Sequence, residues 1–167
     1  LYPGGECRKI IGMIPEFPRR VRLYDNLQPE ENDLIVAALE ENQGNLSYRT
    51  KAIGKLAHFT GMRRSDISNL RFENVSLKKE EISFIQQKTG LKACIPLTPV
   101  VGNAIYDYIV NERPQCDSDY IFISANKPFI KISPDSVSET ARIIFQEVNI
   151  RQEKGRKGGL HLFRHAF

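Results

Sequence analysis

The sequence predicts a mainly helical α+β domain with one small antiparallel β-sheet. Three observations predict it. Apolar residues recur at helical spacing in several separate segments, three short Ile-, Val- and Phe-rich alternating segments sit together mid-chain, and a Lys-Thr-Gly turn joins two of them. Size and composition agree: 167 residues suffice for one domain with a real core, and 41% hydrophobic with 26% charged residues is ordinary for a globular chain.

Leu1–Asn26 is rich in Pro, Gly and Arg and reads as a linker or extended arm with at most one short strand. Domain structure starts at Leu27. Pro29 suits a first helical turn and Glu30-Glu31 favours a helix N-terminus. That helix runs to about Asn42, with Leu34, Ile35, Ala38 and Leu39 toward the core. Ser47–Phe59 is a second helix, with Ile53, Leu56 and Ala57 on one face. Gly61 is its natural stop, since glycine reaches φ > 0 without a Cβ clash. Ser65 and Asp66 suit the start of a short third helix that turns Ile67 and Leu70 inward. Arg63 then stands at a helix–turn–helix corner, a place that suits an anion such as phosphate.

The period then changes. Val75–Leu77, Glu81–Gln87 and Leu91–Leu97 alternate as strands, and Lys88-Thr89-Gly90 makes the last two a hairpin with Gly90 as turn residue. Thr98-Pro99 caps a helix carrying Val101, Ala104, Ile105, Tyr108 and Ile109 at helical spacing. Tyr120–Ile123 fits either a short strand or a buried extended piece. Ser133-Pro134 caps another helix, with Val137, Ala141, Ile144, Phe145 and Val148 inward. Asn149–Gly159 is a basic loop holding Arg151, Lys154, Arg156 and Lys157 against the single acid Glu153. A last helix begins at about His161.

A net charge of +4 and a pI of about 9.0 are compatible with nucleic acid without pointing to it. Cys7, Cys94 and Cys116 are odd in number, widely spaced and form no C-x-x-C. They read as free thiols in a reducing compartment, which places the protein in the cytoplasm. No apolar run approaches the length of a membrane span. Both ends look cut, so a fragment of a longer protein is expected.

Three groups of residues are candidates for chemistry: Arg63 with Asp66, Lys88 at the hairpin, and His161 with Arg164 three residues on. Brought together, they form a cationic pocket that would grip a phosphodiester. Guanidinium groups pair two nonbridging oxygens and neutralise charge building in the transition state, while lysine or histidine protonates a leaving oxygen. Such chemistry needs no metal and no cofactor. His161 and His165 also stand at the i, i+4 spacing of a zinc helix, but position 162 is Leu and the catalytic Glu of that motif is missing. Lys88-Thr89-Gly90 and Ser76-Leu77-Lys78-Lys79 share letters with serine β-lactamases, yet they lie far too close together for that fold.

T-G-M-R-R-S-D-I-S-N-L, then F-I-Q-Q-K-T-G-L-K-A-C-I-P-L, then H-L-F-R-H-A-F, in that order, resembles the catalytic domain of the tyrosine recombinases, the phage-integrase family. The resemblance covers about Leu27–Phe167, and the hairpin is also similar to integrases of mobile elements and conjugative transposons. It implies that Arg63 and Arg164 hold the scissile phosphate of double-stranded DNA. Lys88 would protonate the leaving 5′ oxygen, and His161 would hydrogen-bond the phosphate and help activate the nucleophile. Asp66 would orient Arg63, and His165 would lend structural support. Arg64, Arg151, Lys154, Arg156 and Lys157 are expected to contact DNA. In that family a tyrosine following H-x-x-R attacks the phosphate and forms a 3′-phosphotyrosine. All six tyrosines here precede that motif, so residues 27–167 are expected to be a catalytic domain without its C-terminal segment, inactive and monomeric by itself. The parent is expected to work as a tetramer on DNA. The alternative is a non-catalytic DNA-binding module using the same basic face.

Overall fold

The computed structural model of the chain describes residues 26–41, 44–152 and 159–165; the expected arm before Asn26 lies outside them. Helix α1 spans Pro29–Glu40, with Pro29 in the first turn and the Glu31 carboxylate accepting from the Gln28 N–H at 3.0 Å. Ile35 and Leu39 are buried. Leu34, expected inward, is 49% exposed because it lies about 100° around the helix from Ile35. Helix α2 spans Tyr48–Thr60 and is capped by the Ser47 hydroxyl, which accepts from the Thr50 N–H at 3.2 Å. It stops at Gly61, whose φ of 62° would strain a side-chain-bearing residue.

Helix α3 is a single turn, Arg64–Ser68, starting slightly earlier than expected because Arg63 itself is the extended cap residue. A 3₁₀ turn at Phe72–Asn74 leads into β1 (Val75–Ser76), β2 (Glu81–Ile85) and β3 (Lys92–Pro96). The sheet is antiparallel in the order β1-β2-β3, with Ile82 opposite Ile95 and Phe84 opposite Ala93. Ile82 and Phe84 bury its inner face. The strands are shorter than their alternation suggested, because residues 86–91 form the turn. The Gln86 N–H bonds to the Leu91 carbonyl (2.9 Å) and the Gly90 N–H to the Gln86 carbonyl (2.8 Å), with Gly90 at φ 68°.

Helix α4 spans Pro99–Asn111 and buries Val101, Ala104, Ile105 and Tyr108. Thr98 holds the cap position, but its hydroxyl makes no capping bond; Pro99 alone sets the helix entry. The segment Tyr120–Ile123 is a buried extended piece rather than a strand, joined by isolated bridges between Arg71 and Tyr120 and between Ile123 and Lys131. Helix α5 spans Pro134–Glu147, capped by the Ser133 hydroxyl, with Val137, Ala141, Ile144 and Phe145 buried. The closing element, Leu160–His165, is the expected last helix, in 3₁₀ form. Leu160, Leu162 and Phe163 point into the core, a pattern that three residues per turn satisfies.

Helix α2 is the hub, packed against α1, α4, α5 and the closing 3₁₀ helix. Phe163 seats that last element edge-on against Phe145 (5.5 Å between centroids) and against the buried His58 of α2 (6.2 Å). Burial holds the His58 imidazole below its usual pKa. Cys94 and Cys116 are free thiols, and Cys7 lies outside the described residues. Among the described residues, no helix is long and apolar enough to cross a membrane.

Candidate phosphate-binding site

Arg63 occupies the corner between α2 and α3, turned there by Gly61. Its side chain is half-buried, and Nη1 donates to the Gln86 Oε1 at 3.1 Å. Lys88 is exposed on the β2–β3 turn. His161 and Arg164 belong to the closing 3₁₀ helix, where three residues per turn stack i and i+3 on one side. The two residues between them, Leu162 and Phe163, are fully buried, which fixes the opposite side as the open one. Arg63, Lys88, His161 and Arg164 together line one cavity of about 390 Å³, with Arg64, Ser65, Ser138, Gly159 and Leu160 completing its wall.

The electrostatics of this cavity favour an anion. Burial, and next the nearby Arg63 guanidinium, hold the Arg164 pKa below its usual value, while the Asp66 carboxylate pulls the other way. The Arg164 Nε is buried and has no hydrogen-bond partner among the described residues. Two like charges thus stand together with a donor unsatisfied, an arrangement whose cost a bound oxyanion relieves. Helix α3 is too short to add much dipole, so side chains carry the field rather than the helix end.

Asp66, expected to orient Arg63, makes a different bond. Its buried carboxylate accepts the Gln87 N–H at 2.9 Å and so fastens the turn that carries Lys88 to α3. Asp66 does not cap α3 because it lies inside the first turn, the cap position being Arg63. Replacing Asp66 with alanine is expected to cost about 1 kcal/mol, the usual worth of one such bond, and to speed hydrogen exchange at the Gln87 amide. Unchanged exchange there would remove Asp66 from this role.

Of the residues expected to touch DNA, Arg64 lines the cavity and also binds the Asp135 carboxylate (2.8 Å) and the Ser138 hydroxyl (3.2 Å) of α5. Arg151 must be corrected. Its side chain is fully buried and pairs with Glu31 of α1 (2.7 Å), while also donating to the Asn26 carbonyl (2.7 Å). Left-handed backbone at Asn149 and Arg151 turns the chain back toward α1, so this arginine ties the chain together instead of facing solvent. Lys154, Arg156, Lys157 and the His165 side chain lie outside the described residues.

Five wall or support residues were missed: Gln86, Ser65, Ser138, Gly159 and Leu160. A Cβ at Gly159 would sit 2.9 Å from the His161 Nδ1, so bare backbone leaves room for that ring. The Gly158-Gly159 pair just before the histidine motif was the available signal; for the two serines there was none.

Comparison with known proteins decides the family. The profile of the phage integrase family matches residues 25–167. The chain belongs to the phage integrase family. Integrase/recombinase y4gC of Sinorhizobium fredii is 30% identical over 139 residues, which make up 81% of this chain and 70% of that protein. Tyrosine recombinase XerA of Pyrococcus furiosus is 28% identical over 158 residues, 92% of this integrase-family chain and 49% of XerA. A crystal structure of XerA recombinase superposes with a TM-score of 0.67 at 19% identity, covering 86% of this chain and 49% of that one. XerH bound to its difH substrate before cleavage gives 0.68 at 19% identity, covering 87% and 42%. The fold is that of a tyrosine-recombinase catalytic domain, and the chain spans about half the length of XerA.

Proposed function

We propose that this chain is the phosphate-gripping part of a site-specific DNA recombinase, one that cuts and rejoins strands through a 3′-phosphotyrosine without metal. The observation that carries the reading is the cavity shared by Arg63, Lys88, His161 and Arg164, with the buried Arg164 Nε lacking an acceptor among the described residues. Arg63 and Arg164 take the nonbridging oxygens and offset the charge that grows as the phosphorus becomes five-coordinate. His161 hydrogen-bonds the phosphate and helps to activate the attacking hydroxyl. Lys88 gives its proton to the 5′ oxygen as the P–O bond breaks, and the new bond joins phosphorus to tyrosine oxygen.

Among the described residues no tyrosine lines the cavity. The attacker in this reading follows H-x-x-R in the parent protein, residues 27–167 are the catalytic domain, and residues 1–26 lead from a DNA-clamping domain. The chain itself is monomeric and does not cleave, while the parent assembles as a tetramer on DNA in the cytoplasm.

The test is covalent capture. The longer protein, mixed with a nicked duplex carrying its site, is expected to give a protein–DNA adduct resistant to denaturant. Absence of any adduct would leave a basic surface that binds without cutting. The chain alone is expected to bind duplex DNA weakly through about four phosphate contacts, so affinity should fall roughly a hundredfold between about 50 and 200 mM salt. Filter binding or fluorescence anisotropy measures this, and a flat salt response would contradict phosphate contact.

A further inference from the structure

We infer that Gln86 is a positioning residue that aims Arg63 and braces the Lys88 turn through one neutral oxygen, leaving the arginine's charge undiminished for its anion. This rests on the phosphate-gripping reading above. Gln86 sits half-buried just past the end of β2, and its Oε1 accepts from two donors, the Arg63 Nη1 at 3.1 Å and the Thr89 hydroxyl at 2.8 Å. Its backbone closes the same turn from both sides, bonding to Leu91 and Gly90. The next residue, Gln87, is held by Asp66 through its N–H at 2.9 Å. Adjacent positions of the turn are therefore fastened to the two ends of the Arg63–Asp66 corner, and Lys88 follows directly.

The chemical nature of the acceptor matters. A carboxylate at position 86 could take the same two donors, and more strongly, but it would form an ion pair with Arg63 and cancel the charge meant for phosphate. An amide oxygen supplies direction without net charge. Asp66 fits the same logic, since its carboxylate accepts from a backbone N–H and not from the guanidinium. Among the described residues Arg63 has no ion-pair partner within 4.0 Å, whereas Arg64, Arg71, Arg142 and Arg151 each have one.

The experiment titrates inorganic phosphate into the 167-residue chain and follows the Arg63 guanidinium by NMR. Gln86→Glu is expected to weaken phosphate about tenfold, the worth of a hydrogen bond to a charged group, and Gln86→Leu about threefold. Asn103→Asp on α4, exposed and outside the cavity, makes the same change in net charge and should shift affinity by less than about twofold. Without phosphate, the Arg63 Nη signals should be resolved in the wild type and averaged in Gln86→Leu. Gln86→Glu is isosteric, so the comparison survives even if leucine disturbs the turn. Arg63→Ala separates the two readings. If it leaves phosphate affinity unchanged, or if the wild type does not bind phosphate, the grip falls and this inference with it. If Arg63→Ala weakens binding while both Gln86 variants match the wild type in affinity and in Arg63 signals, Gln86 has no such role and the grip stands.

Discussion

Replacing Arg164 with alanine in the longer recombinase proposed above is expected to slow strand cleavage by about 10²–10³-fold, the usual cost of removing one donor from a site that stabilises developing negative charge. Arg63→Ala is expected to fall in the same range. The cavity gives the reason. Arg164 is half-buried, its Nε has no partner among the described residues, and Arg63 stands close enough to lower its pKa. Such a guanidinium is preorganised for an oxyanion. Lysine at 164 should recover little, because an ammonium offers a point charge where two parallel donors are needed. The measurement is the rate of covalent adduct formation on a nicked duplex. An alanine variant that cleaves at nearly the wild-type rate would show that the guanidinium pair does not clamp the phosphate.

The largest effect on stability is expected at Phe163. Cutting it to alanine should cost about 3–5 kcal/mol, as for other fully buried phenylalanines, and lower the melting temperature by about 10 °C in a chain of this size. Phe163 has no exposed surface and meets His58 and Phe145 edge-on. It also lies between His161 and Arg164, so the same change should loosen both and weaken phosphate binding. Urea unfolding followed by circular dichroism gives the first number, and a phosphate titration of the folded variant gives the second. A loss below about 1 kcal/mol would mean that the closing 3₁₀ helix is not seated through this ring.

Much of the scaffold was legible because local rules agreed with one another. Helices α1, α2, α4 and α5 each combine a cap or a proline at the start with apolar residues at helical spacing. The hairpin combines alternation with a glycine at positive φ. The closing helix was expected from about His161, but its 3₁₀ form was not legible, because its inward residues, Leu160, Leu162 and Phe163, are too few to fix a period. Leu34 was misplaced for a related reason: beside Ile35 it looks equally apolar, and only the neighbouring helix decides which of the two is covered.

The four cationic residues were found through the order of their motifs and the resemblance those motifs carry, since spacing along a chain does not say which residues meet in space. Their partners were not found. Asp66 binds a backbone N–H, a donor that almost every residue offers and that leaves no mark in the letters. Arg151 binds Glu31 across most of the chain, and a run of basic residues around it suggested solvent rather than burial. Gln86 was passed over because it stands beside Lys88, whose charge draws the eye, while an amide gives no hint of two donors converging on it.

The cationic groups of the cavity come from a corner near the start of the domain, a hairpin in its middle and a segment at its end, with no two of them adjacent in sequence. Contacts so distant form late, after loop closure has brought the remote parts together. The four cationic side chains therefore stay apart until the hairpin and the closing segment have both docked against the α2–α3 corner, and the anion-binding cavity arises only at that last step.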